Sequence, residues 1–314
     1  MLVSGAVSAV GTWLILPVLK RHVMDMPNAR SNHKEPVPRG GGIAMISAAL
    51  IGLIAAGIPL SVVAAAVLLV AVSFADDMRD MPVGVRLLAQ VVAVSLAVHT
   101  LPGRIFPAVP QMLEWVIVAP AWIWFINLTN FMDGIDGISA MQAIMIAAGI
   151  WLLHRLSPCM SPELALEAGV MAAAALGFYL FNRSPAKIFL GDVGSIPLGF
   201  LMGYLLLSLA AQGYLLSALI LPAYYLSDAT LTLARRLLRG QKVWQAHSEH
   251  AYQQAARRGL THSQVVARIT WLNLVLIALA MCAALSMMAG VLSLIAAYGL
   301  TFWLIRYFTH AVAP

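Results

Sequence analysis

The chain has 314 residues, of which 61% are hydrophobic and only 10% charged, with a mean hydropathy of +0.87. A soluble domain carries about 25% charged residues, so a soluble globule is excluded, and apolar runs of helix length exclude a barrel of short alternating strands. The formal charge of +6 does not call for a nucleic-acid partner, because the basic residues follow a membrane topology.

Apolar segments fall near 2–19, 43–58, 60–75, 84–101, 112–126, 138–153, 167–181, 196–210, 213–227, 265–285 and 289–307. The first has no basic residue before it and Lys20-Arg21 after it, which reads as a span rather than a cleaved signal. A single helix over 43–75 would be roughly 50 Å long against a hydrocarbon core of about 30 Å, so it breaks at Gly57-Ile58-Pro59. The same length argument splits 196–227 near Gln212-Gly213 and 265–307 near Gly290. The sequence therefore predicts an all-α integral membrane protein, a single polytopic domain over 1–314 with about 11 transmembrane helices. Cys159 in a loop and Cys282 in a late span suggest no disulfide framework.

With the N-terminus outside, the segments 20–42, 75–86, 127–137, 182–195 and 228–264 lie inside. These segments and the inner ends of the last spans hold all but Arg104 and Arg155 of the 19 basic residues, as the insertion rule demands. The same bias favours anionic membrane lipids as contacts. All eight aspartates also fall inside, which that rule does not explain. We read the asymmetry as a site.

Four inside segments carry the chemistry. In "FADDMRD", Asp76 and Asp77 are adjacent; in "NLTNFMDGIDG", Asn127, Asn130, Asp133 and Asp136 recur every third residue, which keeps side chains near one face of a helical turn. "KIFLGDVGS" places Asp192 between glycines just before a span, and "HSEHAYQ" carries His247 and His250 in the longest inside loop. Singly, each has a plain reading: span ends in water, turn and N-cap chemistry, or solvated histidines. Jointly, five carboxylates (76, 77, 133, 136 and 192) at one face repel each other, and all-oxygen donors favour Mg²⁺, with Mn²⁺ as an alternative. The spacing excludes an EF-hand, and "PVPRGGG" is not a Walker loop.

At these residues the sequence resembles the polyprenyl-phosphate N-acetylhexosamine-1-phosphate transferases. "DMPNARSNHKEPVPRGGG" resembles the family's first cytoplasmic loop, "FADDMRD" its DDxxD motif, "NLTNFMDGIDGIS" its NxxNxxDGxDGL motif and "FLGDVGSIPLG" its GDxGS motif. Pro38-Arg39-Gly40-Gly41 stands where the peptidoglycan translocase branch has a PTMGG-like turn, so the chain is more similar to the O-antigen and GlcNAc branch. The family's HxHH-type cluster is here His247-Ser248-Glu249-His250.

The resemblance implies helices around a cytoplasm-facing cleft in the bacterial inner membrane. It also implies transfer of N-acetylhexosamine-1-phosphate from a UDP-N-acetylhexosamine to undecaprenyl phosphate, with UMP released. A homodimer stays open. Asp192, then Asn130, are the metal candidates, and Asp133 and Asp136 would shape the nucleotide-sugar end. Asn127, Arg39 and Lys187 would contact substrate, although Lys187 also suits an interfacial anchor. His247 and His250 would donate to phosphate oxygens or carry charge. Asp76 and Asp77 would orient substrate or touch metal; base catalysis gains little, since a phosphate monoester with a second pKa near 6 is about 90% dianion at pH 7. A cation-coupled transporter is the rival class, but its acids would lie near the bilayer midplane on broken helices.

Overall fold

The computed structural model describes residues 1–26, 35–79, 81–157, 159–243, 245 and 247–310. Asp80 and residues 27–34 of the first inside loop lie outside them. The described residues are helical apart from loops and one two-residue antiparallel ribbon, β1 (Met24–Asp25) with β2 (Val37–Pro38). In chain order the first helices are α1 (Leu2–His22), α2 (Gly42–Ala56), α3 (Leu60–Arg79), α4 (Val83–Ala97), α5 (Gln111–Phe131), α6 (Ile138–Leu156) and α7 (Pro162–Asn182). They are followed by α8 (Asp192–Leu209), α9 (Leu215–Ile220), α10 (Ala223–Leu238), α11 (Ala251–Arg257), α12 (His262–Ala283) and α13 (Met287–His310).

Among the described residues, nine helical stretches are long and apolar enough to cross a membrane, with α2 a shorter apolar helix of 15 residues. The expected count of 11 is not reached on that measure: 43–58 forms only the short α2, and 196–227 yields one such stretch instead of two. The break predicted near Gln212-Gly213 is present: Gly213 takes φ 95, inside a wide turn over Ala210–Tyr214. Beyond it no span-length helix forms over 213–227. The six-residue α9 ends at Leu221-Pro222, where proline has no N–H to continue the ladder, and α10 then runs on to Leu238.

Contacts at the two ends show the path. The Ser161 amide donates to Gln212 Oε1 at 2.7 Å, joining the α8–α9 bend to the start of α7. At the other end Tyr225 and Ser139, at the start of α6, share a hydroxyl hydrogen bond of 3.1 Å. Between residues 212 and 225 the chain therefore returns from one face to the other through the short α9 and the start of α10.

The core is organised around α8. In the Asp192–Ile220 stretch 89% of the apolar window is buried, against 22% for α1, so α8 is the central post and α1 peripheral. Trp122 of α5 stacks on Phe200 of α8 with ring centroids 4.9 Å apart and donates its indole N–H to the Phe200 carbonyl at 3.0 Å. Between α6 and α12, the buried Asn273 amide donates to Gln142 Oε1 at 2.7 Å. Such interhelical polar pairs add to association in lipid, where apolar contact alone provides little drive.

Helix ends differ from the expected spans in a way that matters for the site. The apolar run 60–75 continues as helix through Arg79, which puts Asp76 and Asp77 on the last turns of α3 instead of in a loop. Likewise α5 extends to Phe131 and carries Asn127 and Asn130, leaving only the turn 132–137 as irregular backbone.

Candidate active site

The site begins with two glycine-rich segments that meet. The Gly41 and Gly42 amides donate to the carbonyls of Phe189 and Leu190 at 2.9 and 3.0 Å, and the Phe189 amide donates to Pro38 at 2.8 Å. A Cβ on Gly42 would sit 2.2 Å from Gly194 Cα, so only glycines allow the starts of α2 and α8 to pack backbone to backbone. That contact is what "PRGGG" and "GDVGS" accomplish together. It sets Arg39 against α3: its Nη2 donates to the main-chain carbonyl of Asp77 at 2.7 Å, and its Nη1 lies 3.8 Å from Asp77 Oδ1.

Three acids of the sequence-derived set gather here. Asp77 Oδ2 accepts from the Val193 amide at 3.3 Å, capping the first turn of α8 where the helix dipole favours an anion. The Asp192 carboxylate accepts from Asn130 Nδ2 at 2.8 Å. Asp76, buried, accepts from the Met81 amide at 2.7 Å and from Arg86 Nη1 at 2.9 Å. The same Arg86 nitrogen lies 3.8 Å from Asp192 Oδ2, so one guanidinium links the end of α3 to the start of α8.

The four residues at every-third spacing do not converge. Asn127 donates to Gln90 Oε1 on α4 at 2.6 Å, and only Asn130 reaches Asp192, also donating to Ser195 Oγ at 2.8 Å. Asn130, expected as a metal ligand, presents its amide nitrogen to Asp192. Asp133 is held by Ser139, and Asp136 turns away to His262 Nδ1 at 3.2 Å and the Ala186 amide at 3.2 Å. Asp136 also lines a cavity of about 430 Å³ between α6, α7 and α12, shared with Arg183 and Trp271. The cause is where the helix stops: α5 ends at Phe131, and the turn over 132–137, closed by Gly137 at φ 77, redirects the next two acids.

Environment separates those two acids. Burial pushes the Asp133 carboxyl up to about 8, with the Asp192 charge adding to it and the Ser139 hydrogen bond opposing. Burial also raises Asp136, but the hydrogen bond and charge of His262, with bonds from Ser184 and Ala186, leave it below the ordinary carboxylate value. Asp133 is thus mostly protonated at pH 7 and Asp136 ionised.

The histidine segment docks on the same turn. Tyr252 of α11 donates its hydroxyl to the Phe131 carbonyl at 3.0 Å, and a Cβ on Gly134 would meet that hydroxyl at 2.3 Å. The rings of His247 and His250 lie tilted against each other with centroids 4.9 Å apart. Burial, His250 and Arg236 lower the His247 pKa to about 4, so it is neutral at pH 7, which leaves hydrogen bonding to phosphate oxygens as the expected role. Lys187 is exposed on the loop before α8, and among the described residues its side chain makes no ion pair.

Sequence reasoning missed Arg86, Gln90, Asp228 and His262. Arg86 passed as an insertion-rule cation and Gln90 as a lone polar residue in a span. Their signal was available: each lies on the face of its helix that meets a motif residue.

The sequence pattern described as glycosyl transferase family 4 matches residues 59–210, the segment that holds Asp76, Asp77, Asn130 and Asp192. Across that segment the chain is similar to glycosyl transferase family 4. Over 286 residues it is 27% identical to a Bacillus subtilis (strain 168) protein named probable undecaprenyl-phosphate N-acetylglucosaminyl 1-phosphate transferase, covering 85% of this chain and 80% of that one. It is 28% identical over 194 residues to the phospho-N-acetylmuramoyl-pentapeptide-transferase of Chlamydia caviae, 60% of this chain and 52% of that one. A Streptococcus thermophilus protein of the same name is 36% identical over 124 residues, 38% of this chain and 34% of that one. The family 4 match leaves out both the Arg39 loop and the histidine segment.

Proposed function

We propose that the protein transfers N-acetylhexosamine-1-phosphate from a UDP-sugar to undecaprenyl phosphate. A lipid phosphate oxygen attacks the β-phosphorus of the UDP-sugar, the bond to the bridging oxygen breaks, and UMP leaves. The observation that supports this most is the gathering of Asp76, Asp77 and Asp192 with Arg39 and Arg86 at one membrane face. Both substrates are phosphate anions, so rate comes from positioning and charge neutralisation. Arg39 and Arg86 supply cations, and the first turn of α8 adds its amide dipoles. Protonated Asp133 can donate to a nucleotide or sugar oxygen.

A divalent cation suits the donors present. Asp77 and Asp192 repel each other, and their free oxygens are the hard donors Mg²⁺ takes. A cation that keeps water and phosphate oxygens as ligands needs only one or two protein carboxylates. When bound, Mg²⁺ would neutralise the diphosphate of the donor. Asp77 and Asp192 would hold it, with Mn²⁺ a substitute. Asp76 is engaged by Arg86 and the Met81 amide, so its work is orientation.

The basic residues at this face support a cytoplasmic orientation in the bacterial inner membrane, where UDP-sugars are available. The test is UMP release from reconstituted protein given undecaprenyl phosphate, Mg²⁺ and a panel of UDP-sugars. UDP-N-acetylhexosamines should turn over and the pentapeptide-bearing UDP-muramic acid should not. Turnover only of the latter would assign the pentapeptide-transferase reaction instead, and no UMP with any donor would end the proposal.

A further inference from the structure

Asp228 lies outside every motif, yet it is 1% exposed and bonded on both oxygens. Its Oδ1 accepts from the Ala251 amide at 2.8 Å and from Thr232 at 3.3 Å, and its Oδ2 accepts from the Tyr224 hydroxyl at 3.0 Å and the Tyr252 amide at 3.2 Å. Two of these donors are the first amides of α11, whose Tyr252 is fastened to Phe131. One carboxylate on α10 therefore holds the start of the helix that seats the histidines on the Asp133 turn.

A second observation concerns His250, which is 2% exposed. Its Nδ1 is buried without a hydrogen-bond partner and lies 3.7 Å from Asp228 Oδ1. Tyr252 stacks on the ring at 5.8 Å and His247 flanks it. An orphaned ring nitrogen is costly in so dry a place, and the carboxylate is less than 1 Å beyond hydrogen-bond reach. A shift of that size in the ring would complete the bond, fix the proton on Nδ1 and leave Nε2 for substrate, as a carboxylate orients an imidazole elsewhere.

We propose that Asp228 is a positioning residue for His250: it caps α11 and, when substrate is bound, accepts from His250 Nδ1 so that the ring meets the donor's diphosphate in one orientation. This rests on the transferase reading above. It assigns a role to a residue 36 positions beyond the GDxGS aspartate, on a helix that carries no motif residue.

The test is a double-mutant cycle on kcat/KM for the UDP-sugar in reconstituted vesicles. Asp228→Asn and His250→Ala should each lose at least about tenfold, with the KM for lipid phosphate unchanged. In the His250→Ala background, Asp228→Asn should cost less than about twofold more. A full repeat of the loss there would show that Asp228 acts by supporting the fold and would overturn the proposal, as would wild-type kinetics for His250→Ala. Should Asp228→Asn fail to insert, ring-¹⁵N histidine spectra of the wild-type protein with UDP-sugar decide the point. The His250 proton should be on Nδ1, and a bare Nδ1 overturns it. Absence of UMP release by the wild type would sink the transferase reading, while spectra taken with bound nucleotide would still judge the Asp228–His250 contact.

Discussion

Replacing Arg86 by glutamine removes a cation that, among the described residues, Asp76 and Asp192 share. Its Nη1 is 2.9 Å from Asp76 and 3.8 Å from Asp192, and its loss leaves the buried Asp76, among the described residues, with the Met81 amide. A hydrogen bond to a charged group contributes about 1.5–3 kcal/mol. The guanidinium is 38% exposed, so water takes part of that role and the lower end, about 1.5–2 kcal/mol, applies. If that energy holds Asp76 and Asp192 in the reactive arrangement, kcat/KM falls about 10- to 30-fold. Arg86→Lys keeps the charge but not the planar fork, so its loss should be intermediate. The assay is UMP release at varied UDP-sugar, normalised to folded protein by size-exclusion profile and thermal midpoint. Wild-type kcat/KM in Arg86→Gln, or a loss matched by the loss of folded protein, would refute the reasoning.

Asp77→Asn should be nearly inactive from pH 6 to 8.5, because a misplaced substrate is not repaired by ionising the lipid phosphate; recovery with rising pH would instead make Asp77 a base. Asp133 holds its proton up to about 8, so wild-type activity should decline as pH passes that value, whereas Asp133→Asn keeps a donor and should lack that limb. The same alkaline limb in the variant would remove Asp133 from the explanation. Asp136, with its pKa depressed, stabilises the fold above the ordinary carboxylate pKa and loses that contribution as pH falls through its lowered value. His262→Ala should therefore lower the thermal midpoint at pH 7, with the gap closing as pH falls through the lowered Asp136 pKa; a gap independent of pH would count against the pair. In a background without Cys159 and Cys282, a cysteine at Gly103 should react with an impermeant thiol reagent added outside and one at Gly240 should not, and the reverse pattern would invert the topology.

Much of this protein is legible in the chain alone. Hydropathy and the lengths of apolar runs determine an all-helical membrane protein, because lipid leaves backbone polar groups no partner except their own helix. Glycine and aspartate spacing located Asp76, Asp77 and Asp192 at one membrane face, since acids at span ends must share a surface once the spans are counted. Tertiary structure alone decided the rest. Periodicity describes one helix, so it could not foresee that α5 would stop at Phe131 and send Asp133 and Asp136 to different neighbours. Nor could it pair Arg86 with Asp192 or Asp228 with α11, contacts made across more than 20 residues of sequence. The crossing from Gln212 to Tyr225 depends on one left-handed glycine and one proline, and hydropathy averaged over a window does not register either. A carboxylate's neighbours, and with them its charge at pH 7, follow from which helices pack together, and packing is a property of the fold rather than of any segment.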